Sequence, residues 1–280
     1  MMKVSIQGIQ GAFHEEAARL YFNPEIEIVP NLTFQELMQS VQNKTADYGI
    51  VAIENTISGT IHANLNLIRH SDLQITGEVY LSISQNLIAL PNTNLQSITE
   101  IHSHYMAINQ CREYLEQFKN IKILESEDTA LSIKNIAVNQ LRNVAAIGSN
   151  LAAKQYNLEI IASNIETNSK NYTRFLILSK QVDLCQPFDK ALLALTLPHK
   201  KGSLSIILSI ISFYDINLTK IESFPIIGEP WHYLFYLDVV FESVENYKKM
   251  VSAIKQLAGH IEILGEYISG NQSSNQKHKN

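Results

Sequence analysis

Lys3-Val4-Ser5-Ile6-Gln7-Gly8-Ile9-Gln10-Gly11-Ala12-Phe13-His14-Glu15-Glu16-Ala17-Ala18-Arg19-Leu20-Tyr21 is the stretch that decides the fold class. Residues 3–7 alternate as a strand does, Gly8 and Gly11 mark a loop, and residues 15–21 continue as a helix. This β-loop-α opening lacks both the three-glycine dinucleotide pattern and a Gly-Lys-Ser/Thr. The loop therefore reads as a tight turn that lets backbone approach a ligand, not as a phosphate cradle.

The same alternation continues outward. Thr33-Phe34-Gln35-Glu36 fits a capping box, and residues 48–53 form a short apolar run bounded by turn formers, as a buried strand does. Ser103 is placed to cap a helix reaching about residue 118, Asp128 or Thr129 a second, and Asn150 a third over 151–156, ahead of a strand at 175–179. Repeated β-α units over residues 1–181 predict an α/β domain whose ligand sits at the carboxyl ends of its strands. Residues 182–189, with Pro187, have no period and read as a linker.

From Lys190 the expected order is strand (191–197), helix (203–214), strand (217–223), strand (231–240), helix (245–257) and strand (261–267). This is a ferredoxin-like βαββαβ unit over residues 190–269. Such a thin domain has exposed sheet edges, which predicts pairing with another copy of the chain. Residues 270–280 are polar and predicted to be disordered.

Composition narrows the function classes. The chain has 280 residues, 45% of them hydrophobic, enough for full cores in two or three compact units. With a formal charge of −5 and scattered basic residues, it offers no cationic surface to a nucleic acid. Its start lacks an apolar signal core and no stretch has bilayer-spanning length, which predicts a cytoplasmic protein without a membrane partner. Cys111 and Cys185 are expected to be small buried thiols in a reducing compartment.

Thr173-Arg174 stands immediately before the apolar run Phe175-Leu176-Ile177-Leu178, where a hydroxyl and a guanidinium are expected to face a cleft together. That pair suits a small anionic substrate whose reaction needs a hydrogen bond and no metal. Ile53-Glu54-Asn55-Thr56-Ile57-Ser58-Gly59 brings a carboxylate, an amide and two hydroxyls to a strand end, where sites collect, although alone it reads as a helix-capping turn. Ser103 opens a helix whose first N–H groups suit a carboxylate, and Gln110 follows on about the same face. His102 and His104 lack ligand spacing and no acidic cluster completes a shell, so neither metal nor cofactor is expected.

Taken in order, residues 7–18, 53–59 and 103–111, Thr173-Arg174-Phe175, and residues 202–204 and 217–225 resemble the prephenate dehydratase family, which converts prephenate to phenylpyruvate in phenylalanine biosynthesis. The resemblance covers nearly the whole chain. It implies a two-lobed catalytic domain like a periplasmic binding protein, followed by a regulatory ACT domain. By resemblance, Thr173, Arg174, Glu54, Asn55, Ser103 and Gln110 are the catalytic set, with Arg174, Ser103 and Asn55 on the substrate. Thr173 is expected to assist the leaving hydroxyl and Arg174 to grip the pyruvyl carboxylate. Phenylalanine, as effector, is expected at Gly202, Ser203, Leu204, Asn217, Leu218, Glu222 and Ser223, at a subunit interface of a homodimer or homotetramer.

The chain departs from the family pattern at Gln85, where a histidine is frequent, at Tyr105-Met106 in place of Pro-Gln, and at Phe224 in place of arginine. The last implies a weaker or altered response to phenylalanine. No chorismate mutase segment stands ahead of Met2 in this sequence. Two other readings stay open: a dehydratase acting on arogenate, and a non-catalytic amino-acid sensor.

Overall fold

A computed structural model describes residues 1–181, 187–226 and 228–270. They form two compact units: Met1–Ser71 with Val79–Ile177, and Asp72–Glu78 with Leu178–Gly270. The linker residues 182–186, including Cys185, and the tail 271–280 lie outside the described residues.

The chain begins with β1 (Lys3–Gln7), α1 (Phe13–Tyr21), β2 (Glu27–Asn31), α2 (Phe34–Gln42), β3 (Tyr48–Asn55), the short β4 (Gly59–Thr60), α3 (His62–Arg69) and β5 (Gln74–Ser82). It crosses into β6 (Asn86–Ala89), β7 (Glu100–His104), α4 (Tyr105–Gln110), α5 (Arg112–Leu115), β8 (Lys122–Ser126), α6 (Thr129–Asn139), β9 (Val144–Gly148), α7 (Asn150–Gln155) and β10 (Glu159–Ala162), then returns as β11 (Tyr172–Ser179). The result is two α/β lobes. The first is built on the order β11-β3-β1-β2, with β1 parallel to β2 and β3; the second has the order β10-β6-β9-β7-β8. Their connections run side by side, with Ile83 N donating to Asn171 O (2.7 Å) and Ile165 N to Gln85 O (2.9 Å).

Local chemistry accounts for the elements. Thr33 Oγ1 accepts from Glu36 N (3.1 Å) and Glu36 Oε2 from Thr33 N (3.2 Å), so the expected capping box starts α2. The Gly8-Gly11 loop turns tightly, and at Gly11 the second lobe comes close. A Cβ there would stand 2.8 Å from Ala152 Cα, and its φ of +90° is strained for any side chain. The fully buried Glu15 accepts from Gly11 N (2.7 Å), Arg19 Nε (2.8 Å) and Gln155 Nε2 (2.9 Å), tying this loop to α7 of the second lobe.

One helix differs from expectation. Ser103 does not open it: Ser103 belongs to β7, and α4 starts two residues later with His104 as its cap, Nδ1 accepting from Met106 N (3.3 Å). The helix also breaks at Cys111 before α5. The β7 ladder to β8 continues through His104, so strand pairing takes the residues that local propensity assigned to a helix start. Cys111 is buried, and burial pushes its thiol up to about 12.

The second unit contains β12 (Lys190–Thr196), α8 (Ser203–Phe213), β13 (Asn217–Pro225), β14 (Tyr233–Val240), α9 (Val244–Lys255) and β15 (His260–Tyr267). The strand order β13-β14-β12-β15, antiparallel throughout, is the ferredoxin-like arrangement. Leu193, Leu195, Ile207, Ile211, Leu237, Met250 and Ile254 fill the space between sheet and helices. Gly265 of β15 pairs with Ile75, and a Cβ on it would stand within 2.3 Å of Ile75 O, so only glycine fits. Lys190 Nζ lies 2.9 Å from both carboxylate oxygens of Glu78, with both side chains almost fully buried. Among the described residues no helix is long and apolar enough to cross a membrane, and no three His, Cys, Asp or Glu side chains group as metal ligands.

Candidate active site

Between the two lobes lies a cleft of about 270 Å³, near the lower end of the roughly 300–1,000 Å³ usual for small-molecule sites. The first lobe lines it with His14, Asn55, Thr173 and Phe175, the second with His104, Gln110 and Asp128, and the connection with Gln85. The N-terminal ends of α1 and α6 also reach it through Phe13 and Thr129, and their first N–H groups carry partial positive charge. Among the described residues, none that lines it is lysine or arginine.

Side-chain amides organise its floor. Asn55 Oδ1 accepts from the backbone N–H of Ile57 and Ser58, both at 2.9 Å, which fixes its Nδ2 as the outgoing donor. That nitrogen donates to Thr173 Oγ1 (3.0 Å) and Asn171 Oδ1 (2.7 Å). Asn171 Nδ2 donates to Gln110 Oε1 (3.0 Å), which also accepts from Gln85 Nε2 (3.1 Å). With Asn55 donating to its oxygen, the buried Thr173 hydroxyl has its own proton left for the cleft, since no described residue accepts it. The polar turn after β3 is thus more than a cap: it sets the direction of every hydrogen bond along the floor.

Three expected site residues, Arg174, Glu54 and Ser103, lie elsewhere. Arg174 does not face the cleft with Thr173. Successive side chains of a strand point to opposite faces, so Thr173 and Phe175 line the cleft while Arg174 is buried on the other face of β11. There its Nη1 lies 3.7 Å from Glu54 Oε2 and its guanidinium carbon 6.0 Å from the centre of the Tyr80 ring. Ser103 is fully buried and donates to Ile147 O (2.8 Å), a bond that ties β7 to β9 and leaves Ser103 out of the cleft wall. Asn55, Gln110 and Thr173 do meet there.

Sequence reasoning passed over His14, His104, Asn171 and Asp128 as site residues. Asn171 gave no signal, because an asparagine before an apolar run reads as a turn. His14 lies against Phe34 and Phe175, with ring centroids 5.5 and 5.0 Å away, and burial lowers its pKa to about 4. The imidazole is therefore neutral at pH 7. Because the unfolded chain takes up that proton near pH 6.5 and the folded one only near 4, stability falls as pH drops between those values. Urea unfolding at pH 7 and pH 5 should show this, with a smaller difference in His14→Leu; an unchanged difference would exclude His14 as its source. Burial also raises the Asp128 carboxyl, opposed by bonds from the first turn of α6.

In the second unit, Gly202, at φ +84°, precedes α8, whose first turn carries no side-chain cap. Ser203 and Leu204 are in that turn. α8 spans 11 residues, about 16 Å, and β13 then returns along it. Glu222 and Ser223 come back level with Gly202, while Asn217 and Leu218 stay at the far end. A bulge between Leu218 and Lys220 reverses the strand's faces, so Leu218 packs under the helices and Glu222 faces away from them, 3.3 Å from Lys220. The seven candidates do not converge within one chain.

The family model described as prephenate dehydratase matches residues 4–183. A prephenate dehydratase of Lactococcus lactis is 34% identical over 95% of this chain and 97% of its own length. Arogenate dehydratase 3 of Arabidopsis thaliana is 31% identical over 95% of this chain and 67% of its own. Among solved structures, prephenate dehydratase from Arthrobacter aurescens in complex with L-Phe superposes with a TM-score of 0.85 at 26% identity, covering 95% of this chain and 90% of that one.

Proposed function

Because the chain belongs to the prephenate dehydratase family, a family of carbon–oxygen lyases, we propose that its interlobe cleft converts prephenate to phenylpyruvate. The observation that carries this reading is the Thr173 hydroxyl, oriented by Asn55 and aimed at the cleft. The ring carboxylate leaves as carbon dioxide, and its bonding electrons enter the ring and expel the hydroxyl at the far carbon. That group takes up one proton, drawn from solvent, and departs as water. Thr173 donates a hydrogen bond to it, and the Asn55 N–H on Thr173 Oγ1 supports the charge that develops there. Gln110 Nε2 is a second neutral donor.

The absence of Lys and Arg from the wall fits this chemistry. A tight ion pair on the departing carboxylate would stabilise the ground state and oppose its loss. Neutral donors and the N-terminal end of α1 hold the dianion instead, since Asp128 already takes the first N–H groups of α6. Arg174 and Glu54 are positioning residues in this reading: their ion pair joins β3 to β11 beneath Asn55 and Thr173. Ser103 supports the cleft through β7 and β9.

The unit at residues 190–269 is a regulatory ACT domain in our reading, and residues 1–181 the catalytic domain. L-phenylalanine is its effector. Since Gly202 and Asn217 stand at opposite ends of α8, one effector site needs Gly202–Leu204 from one copy and Asn217–Leu218 from another, so phenylalanine binds a homo-oligomer. Phe224, packed edge-on against Tyr236 at 5.3 Å, replaces a charged contact with an apolar one and weakens that response. A cytoplasmic location suits a biosynthetic enzyme of this kind. Following phenylpyruvate formation from prephenate while titrating phenylalanine tests both halves: turnover that phenylalanine lowers supports them, and absent turnover sinks the catalytic one.

A further inference from the structure

Gln85 is 3% exposed, lines the cleft, and has an Oε1 that accepts no hydrogen bond from any described residue. Its orientation is fixed from a distance. The backbone N–H groups of Ile57 and Ser58 set Asn55, Asn55 sets Asn171, and Asn171 sets Gln110 so that its oxygen accepts. Gln85 must then give its Nε2 to Gln110, because turning the amide over would oppose two oxygens. The relay therefore ends on a buried acceptor at the cleft, opposite in sign to the donor that Thr173 presents at its other end. A buried acceptor without a donor is costly, and a ligand proton placed there recovers that cost.

We propose that Gln85 is a specificity-determining residue whose Oε1 accepts a hydrogen bond from the protonated amino group of arogenate, so that this chain dehydrates arogenate as well as prephenate. The inference rests on the proposed function above. The two substrates differ only where arogenate carries an amino group and prephenate a keto oxygen. Their side chain leaves the ring carbon opposite the departing hydroxyl. With that hydroxyl on Thr173 at one end of the relay, the side chain falls toward Gln85 at the other. An ammonium supplies the proton that Gln85 Oε1 lacks, whereas a keto oxygen does not.

The test is the ratio of kcat/KM for arogenate, read as phenylalanine, to that for prephenate, read as phenylpyruvate, in the full chain and in Gln85→Leu and Gln85→Glu. Gln85→Leu should lower the ratio roughly 10- to 100-fold, the value of a hydrogen bond to a charged group. Gln85→Glu, which keeps an acceptor, should hold or raise it. Because the ratio cancels any loss common to both substrates, damage to the relay alone leaves it unchanged. A ratio that stays within about threefold in Gln85→Leu overturns the proposal, as does prephenate turnover without arogenate turnover in the unaltered chain. Failure with both substrates would instead overturn the proposed function.

Discussion

Replacing Thr173 with valine should lower kcat for prephenate by about 10²–10⁴, the range for a positioned group acting on a proton in the transition state. Valine keeps the shape and the packing of this buried position, so the melting temperature should change little. Because the hydroxyl acts on the departing group, kcat and kcat/KM should fall together, with KM nearly constant. Asn55→Leu should give a loss of the same kind, since Asn55 N–H is what turns the Thr173 proton toward the cleft. Near-normal turnover in Thr173→Val would remove the hydroxyl from the mechanism.

The largest effect on stability should come from the pair Glu78 and Lys190. In Glu78→Leu the Lys190 ammonium stays buried without its bidentate partner, and urea unfolding should show a loss of about 3–5 kcal/mol. The double variant Glu78→Leu with Lys190→Met removes both charges and should recover much of that loss, because a well-packed apolar pair avoids the desolvation cost of two ions. A single variant within 1 kcal/mol of the unaltered chain would show that the remaining contacts of Lys190 suffice to hold its charge.

Periodicity was enough for the architecture. The β-loop-α opening, the capping box at Thr33 and the βαββαβ order after Lys190 follow from local patterns, and the structure contains them. The helix start at Ser103 was misplaced because its ladder to β8 is a contact between segments some 20 residues apart, which local propensity does not register. At the site, residue types were more legible than directions. Thr173, Asn55 and Gln110 stood out as polar residues beside apolar runs, and they meet. Arg174 stood out equally, yet a strand sends adjacent side chains to opposite faces, and which of the two faces the cleft depends on the sheet's packing. The relay was invisible for another reason: Asn55 and Asn171 are 116 residues apart, and only the fold closes that distance.

Glu15 carries a structural role that local pattern does not show. In the sequence, residues 15–21 read only as a helix, whereas Glu15 accepts from Gly11, Arg19 and Gln155, and Glu16 accepts from Leu151 N (3.1 Å). That segment holds the lobes in place so that the cleft keeps its shape.

In our reading the substrate lies in the cleft with its ring hydroxyl on residue 173 and its anionic groups on neutral donors. A crystal structure of Thr173→Val with prephenate bound tests it most directly. The density should place the ring hydroxyl against the valine side chain, next to Asn55, and the pyruvyl group toward Gln85, with the Arg174 guanidinium still beside Glu54. A ring hydroxyl directed away from residue 173, or a substrate carboxylate paired with Arg174, would contradict it.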